Sequence, residues 1–196
     1  MSTSLEQVLD RAFGHPRGLL GRLGGWLMAA GNAATERHVV DVARLTQGET
    51  VLVLGPGPGV GVLAAADRAG RVIGVDPSAE MLELCAERCE GASNVELHLG
   101  SAAETGLDDN SADVVISVNN VQLWPDRAAG LAELRRVLRP GGKLVLSAHE
   151  KWLPVSRHEL AAEVSEAGFT DLQTWVWDPP GPMAARAAQL RAISVD

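Results

Sequence analysis

The chain has 196 residues, 46% of them hydrophobic and 21% charged, with a formal net charge of −8. That length suits one globular domain with a sizeable core, and that hydrophobic share excludes a disordered chain. The negative balance argues against a protein whose main work is gripping a phosphate backbone, which needs clustered Lys and Arg.

The opening segment "MSTSLEQVLD" has no basic stretch followed by an apolar one, so it does not read as a signal peptide. No run approaches the roughly 20 apolar residues of a membrane span, and the expectation is a soluble cytoplasmic protein. Residues 1–47 hold no strand pattern. Leu5, Val8 and Leu9 share helical spacing, as do Leu19, Leu20, Leu23, Trp26, Leu27 and Ala30. A third helix is predicted from a cap at Asn32 through Val39, Val40, Val42 and Leu45, with Gly48 ending it.

From residue 50 the pattern changes. Apolar runs at 50–54, 71–75, 95–99, 113–118 and 143–148 alternate with predicted helices near 59–69, 78–90 and 126–139. Asp126 caps the last helix and Pro140-Gly141-Gly142 stops it. Cys85 and Cys89, four apart on a predicted helix, read as small packing residues. No second Cys/His cluster accompanies them, so no metal is expected. A further helix over 157–167 ends at Gly168, and the alternation of "TDLQTWVW" (170–177) predicts a strand nearer the sheet edge. The tail "MAARAAQLRAISV" reads both ways: its alanines favour helix, its β-branched ending permits strand. Near-continuous apolar strands with helical crossovers imply a doubly wound, parallel α/β sheet covered on both faces. The organisation is a single domain over 1–196, with a helical extension over 1–47 and an α/β core over 48–196.

The ligand question centres on "VLVLGPGPGVG" (51–61), with glycines at 55, 57, 59 and 61. Open α/β sheets bind ligands outside the carboxyl ends of their strands, so this turn is well placed. A phosphate loop needs G-x-x-x-x-G-K-[ST], and no glycine here starts that pattern. The dinucleotide fingerprint needs a Gly or Ala as its sixth residue. Counting from Gly55 gives Val60, and from Gly57 gives Val62, so a nicotinamide oxidoreductase is disfavoured. What remains is G-x-G-x-G, from Gly55 through Pro56, Gly57 and Pro58 to Gly59.

At this point the chain resembles the class I S-adenosylmethionine-dependent methyltransferases, particularly their small-molecule branch. Four segments carry the resemblance in order: "VLVLGPGPG", "VIGVDPSAEML", "VELHLGSAAE" and "ADVVISVNNVQLWPD…LAELRRVLRPGGKLVLS". They span residues 50–147, about half the chain. The resemblance implies a seven-stranded, mostly parallel Rossmann-like methyltransferase fold in which 170–177 and the tail close the sheet as an antiparallel pair. It implies S-adenosylmethionine as cofactor, held by Gly55, Pro56, Gly57 and Gly59, by Asp76 and Pro77, by Met81, by Ser101 and Ala102, and by Asn119. Asp76 stands 17 residues after Gly59, near the distance expected of an acid that accepts from both ribose hydroxyls. Met81 packs either on the adenine or in the core. The chain departs from the family twice. Val53 stands where an acid commonly helps hold the methionine ammonium, and Ser101 where an Asp often meets the adenine amino group.

The family's acceptor site lies above strands four and five, beneath N-terminal helices. That makes Asn120 and His149 the catalytic candidates, His149 because its unperturbed pKa lies near neutrality. The bland alternative is a loop histidine. Candidate acceptor contacts are His15, Trp26 and Trp124, the tryptophans serving as an aromatic wall or as ordinary core. Arg17 and Arg37 are candidates for an acidic group or solvated surface residues. The [DN]-P-P-[FYW] motif of nucleic-acid base methylation is absent, "NNVQ" standing there, which disfavours nucleic acid as partner. The stripe from Leu19 to Ala30 carries few basic residues, so it reads as a lid over a small-molecule acceptor rather than a membrane-surface helix. The oligomeric state is left open, a homodimer being one option. The reading is thus methyl transfer to a small molecule. The alternative is a module that binds the cofactor or its demethylated product without transferring a methyl group.

Overall fold

The computed structural model describes residues 18–180 and 185–195, and side chains from Gly31 onward. The elements in chain order are α1 (Gly18–Ala43), β1 (Thr50–Leu54), α2 (Val60–Ala66), β2 (Arg71–Asp76), α3 (Ala79–Arg88), β3 (Val95–Leu99), β4 (Ala112–Val118), α4 (Arg127–Val137), β5 (Leu138–His149), α5 (Arg157–Glu166), β6 (Phe169–Trp177) and β7 (Ala187–Ser194). The seven strands form one sheet in the order β3-β2-β1-β4-β5-β7-β6. Pairs from β3 to β5 are parallel, and β7 is antiparallel to both β5 and β6.

Alternation along β1 explains why helices cover both faces. Leu52 and Leu54 point into one apolar layer with Leu131, Leu134, Leu160 and Phe169 of the α4–α5 side. Val51 and Val53 point into the other, with Val39, Val40, Ala43 and Val62. The sheet thins out at β3, whose Leu99 is 67% exposed.

Helix ends follow local chemistry. The Asp126 carboxylate accepts from Ala129 N–H at 3.0 Å, Ser156 and Glu159 form a reciprocal capping box, and Gly168 (φ 93°) turns the chain after α5. The tail is a strand. Its small, buried Ala187, Ala188 and Ala192 let β7 slot between β5 and β6, so register and burial override alanine's helical preference. The "TDLQTWVW" segment is indeed at the edge.

Three boundaries differ from the sequence reading. Asn32 does not start a helix: α1 runs unbroken through Gly31 and Asn32 for 26 residues. Flanking alanines propagate the helix, and one Gly costs only about 1 kcal/mol. Gly48 does not end α1, which stops at Ala43, where Arg44 adopts the left-handed turn (φ 50°). Pro140-Gly141-Gly142 does not separate α4 from the next strand. The helix ends at Val137, β5 starts at once, and the triplet forms an irregularity between the Ala112–Leu138 and Val114–Lys143 pairs.

Cys85 and Cys89 are both buried and free. Among the described residues no cluster of three metal-ligating side chains occurs, and no helix is long and apolar enough to cross a membrane.

Candidate active site

Strand order reverses at β1, flanked by β2 on one side and β4 on the other. Such a switch point opens a crevice at the strands' carboxyl ends. The glycine turn fills the mouth of that crevice. Gly55, Gly57 and Gly59 all have positive φ (68°, 49° and 85°), and Gly55 N–H donates to Val75 O at 2.8 Å, tying the turn to β2. A Cβ on Gly55 would lie 2.0 Å from Asn120 Nδ2, and one on Gly59 would lie 3.0 Å from the Cys85 Cα. Both positions are closed by neighbours. Gly57 faces open space, with nothing within 4 Å of where its Cβ would stand. A ligand can therefore approach the backbone there without a side chain intervening, and it meets carbonyl groups, because the N–H groups of Gly55, Gly57 and Gly59 already donate to Val75 O, the Asp76 carboxylate and Pro56 O.

Asp76, last residue of β2, is 7% exposed. Its carboxylate accepts from Ser78 N–H at 2.9 Å and from Gly57 N–H, while burial raises its pKa above the ordinary value. A desolvated carboxylate at the lip of the turn is an acceptor for paired hydroxyls. Pro77 beside it is exposed, and Met81 is buried on the first turn of α3, its N–H capped by Ser78 Oγ. Ser101 is exposed and pairs backbone to backbone with Glu104. Ala102 is half-buried against the α4-side layer.

After β4 the backbone makes a left-handed residue at Asn119 (φ 52°). Its N–H donates to Ser147 O at 2.7 Å, its Oδ1 accepts from His149 N–H at 2.9 Å, and its Nδ2 is buried without a partner. Asn120 Oδ1 accepts from the Trp124 indole N–H, and its amide lies over Gly55. Trp124 is 7% exposed within the apolar layer. The structure therefore places Trp124 as core and as an anchor for Asn120, not as an aromatic wall. His15 and Arg17, like the Leu5–Leu9 stripe, lie outside the described residues. So does the side chain of Trp26. Arg37 is exposed.

His149 ends β5 and is half-buried. Burial is the main cause that pushes its pKa below the ordinary value, so the imidazole is neutral near pH 7. Its Nε2 sits 3.1 Å from Asn32 Oδ1. That oxygen only accepts, so Nε2 carries a proton in this contact; Nδ1 is buried, and a bond to the Ala185 backbone acts against the effect of burial.

The sequence reading missed what α1 brings. Lys143 Nζ, at the start of the regular part of β5, donates to Ala43 O at 2.9 Å, while Asn32 meets His149 at the strand's other end. Hence α1 runs antiparallel to β5 from Asn32 to Ala43. Glu36 lies one turn after Asn32, and its Oε2 accepts from Gly61 N–H at 2.6 Å. Burial pushes its pKa up to about 7 against the opposing influence of Gly61 N–H, Arg88 and Arg37. The signal was present: Glu36 is the acid in the 36, 39, 40, 43 spacing of a helix face otherwise made of Val39, Val40 and Ala43. His38 on the same helix stacks on Trp177 of β6, with ring centroids 4.0 Å apart and planes 2° apart.

The turn is thus flanked by two carboxylates, Asp76 and Glu36. Arg88, the nearby cation, spends its Nε–H on Pro58 O at 2.6 Å. A pyrophosphate would be repelled here, whereas a ligand with vicinal hydroxyls at one end and a positive charge at the other matches the donor set. S-adenosylmethionine has that pattern, so the residues present fit it.

A family model described as a methyltransferase domain matches residues 52–146. The uncharacterized methyltransferase YdaC of Bacillus subtilis is 30% identical over 159 residues, 76% of this chain and 87% of that protein. The arsenite methyltransferase of Halobacterium salinarum is 40% identical over 110 residues, 54% of this chain but only 28% of that protein. The chain spans less than half the length of several other curated relatives it matches, between 28% and 49%. A solved S-adenosylmethionine-dependent methyltransferase from Aquifex aeolicus superposes with a TM-score of 0.72, covering 85% of this chain and 93% of that one at 20% identity. That likeness concerns the fold alone.

Proposed function

Since the chain belongs to the class I S-adenosylmethionine-dependent methyltransferase family, we propose that it transfers a methyl group from S-adenosylmethionine to a small-molecule acceptor by in-line displacement. The observation that carries this reading is the open glycine turn at the β1/β4 switch point, lined by carboxylates instead of by a phosphate-binding lysine.

Bound there, the cofactor supplies an electrophilic methyl group on a sulfonium. The chain supplies placement. The backbone of Gly55, Pro56, Gly57 and Gly59 receives the ligand closely, and Asp76, with Pro77 shaping the lip, accepts its hydroxyls. Met81, Ser101 and Ala102 border the base. Asn119 ties the end of β4 to β5 through Ser147 O and His149 N–H, beside the methionine end of the ligand. Alignment can supply much of the rate of such a displacement. Where the acceptor must lose a proton, the half-buried His149 is the candidate base, with Asn32 holding its Nε2 and Asn120 shaping the floor. We place the acceptor-side lid in the segment before Asn32, with His15 and Trp26 as contacts, while the later turns of α1 pack into the α/β core through Val39, Val40 and Ala43. The acceptor is a small molecule rather than a nucleic acid, in keeping with the chain's net charge of −8 and with the arsenite relative's name. We place the protein in the cytoplasm.

Calorimetry tests the reading: S-adenosylmethionine and its demethylated product should both bind, and absence of heat with either at millimolar concentration would end it. Val53 and the exposed Ser101 favour the second reading, a binding module without transfer. Tight binding with no methyl transferred to any of a panel of arsenite, thiol, amine and quinol acceptors would select it.

A further inference from the structure

We infer that Glu36 is the anionic partner of the cofactor's α-ammonium group, the charge having moved from strand β1 to helix α1 in this chain. The inference rests on the cofactor reading above.

Placement comes first. Val39, Val40 and Ala43 press the inner face of α1 onto the same layer that holds Val51 and Val53. Glu36 continues that face by one turn, to where the strands end. It is the polar member of the stripe at the position where apolar packing gives way to the crevice. Gly61 lets it come close: a Cβ there would stand 3.2 Å from Glu36 Oε2.

Satisfaction comes second. One carboxylate oxygen takes Gly61 N–H, and among the described residues the other carries no hydrogen bond. Arg88 is turned to Pro58 O, and Arg37 is exposed; neither forms an ion pair with Glu36 among the described residues. Glu36 is half-buried, with one oxygen held by Gly61 and the other left for a cation to join. The cofactor is itself asymmetric. Its adenosine end suits Asp76, and the other end carries a primary ammonium. A carboxylate on the opposite flank of the same turn is the complementary group.

The strand explains why the helix does this. Val53 is 4% exposed and packs in the layer that Val39 and Val40 close. An acid at 53 would instead bury a carboxylate in that apolar layer, which is costly without a partner. One carboxylate suffices, and here α1 carries it.

The experiment compares two ligands by calorimetry. S-adenosylhomocysteine carries the amino-acid end, and 5′-methylthioadenosine keeps the adenosine and sulfur without it. Glu36→Gln should weaken S-adenosylhomocysteine about 10- to 100-fold, the scale of a lost charged hydrogen bond, and leave 5′-methylthioadenosine unchanged. Adding Val53→Asp to Glu36→Gln should recover part of the loss. Equal weakening of both ligands would mean that Glu36 acts only by bracing the turn, and unchanged affinity for both would remove it from the site; either overturns the inference while leaving the cofactor reading intact. Failure of the unsubstituted protein to bind either ligand overturns the cofactor reading and the inference together. Should Glu36→Gln not fold, Glu36→Asp replaces it. The shorter acid should weaken S-adenosylhomocysteine selectively, and equal effects on both ligands would again count against the inference.

Discussion

The parallel half of the sheet, β3-β2-β1-β4, meets the crevice through bare backbone and single acids, whereas the antiparallel half, β5-β7-β6, meets it through side chains tied to α1. On the parallel side the contacts are short-range. Gly55 reaches Val75 across one strand, and Asp76 caps itself on Ser78. On the other side His149 reaches Asn32 across 117 residues, and Trp177 stacks on His38 from the sheet's edge. The first arrangement fixes a common ligand by geometry that tolerates little change. The second joins distant segments, so its residues can vary without disturbing the turn.

The difference can be broken by attacking the turn itself. Gly59→Ala should cost about 3 kcal/mol in urea unfolding, because a Cβ there meets the Cys85 backbone at 3.0 Å and φ is 85°. Binding of S-adenosylhomocysteine should be lost with it. Asp76→Ala should weaken that ligand by about 1–3 kcal/mol in calorimetry. Unchanged affinity would remove Asp76 from the site.

A titration sharpens the contrast on the helix side. Glu36 titrates at about 7 in the folded chain against 4.5 ordinarily. The native state therefore holds more protons than the unfolded state between those values, and stability of the free protein falls as pH rises through that window, levelling above about 7. Burial sets this direction against Gly61 N–H, Arg88 and Arg37, and the facing Cys85 thiol is kept protonated by its hydrogen bond with Cys89 and by burial. An ammonium ligand needs the ionised form, so S-adenosylhomocysteine should bind up to about tenfold more tightly at pH 8 than at pH 6. Glu36→Gln should flatten that profile. The smallest effect belongs to the antiparallel half. Asn32→Ala should leave cofactor affinity unchanged and slow transfer a few-fold, about 1 kcal/mol, with an altered pH–rate profile because His149 loses the partner that holds its Nε2. A matching loss of cofactor affinity would erase the division between the halves.

What could be read from the chain follows the same division. Strands β1 to β4, the glycine turn and Asp76 are contiguous patterns, each carried by about ten residues, so periodicity and spacing reveal them. The continuity of α1 through Gly31-Asn32 is not local: it depends on Val39, Val40 and Ala43 docking the helix and on Asn32 finding His149. The strand state of residues 187–194 depends on two neighbours offering free edges. Trp124 looked like a pocket wall because it stands near the end of β4, yet Gly130 leaves room for its ring in the core, where a Cβ would meet it at 2.7 Å. Glu36 went unnoticed because its meaning lies in Gly61, 25 residues on.

The place of β7 between β5 and β6 also bears on how the chain assembles during synthesis. β6 leaves the ribosome before β7, yet within the sheet it pairs with β7 alone. Until β7 emerges, β6 has no seat and β5 presents a bare hydrogen-bonding edge. The parallel core can condense early, while that edge stays open to pairing with a neighbouring nascent chain. Completion of the sheet is therefore a late, single step of strand insertion, and a stalled or clipped polypeptide lacking β7 would be sticky rather than merely shorter.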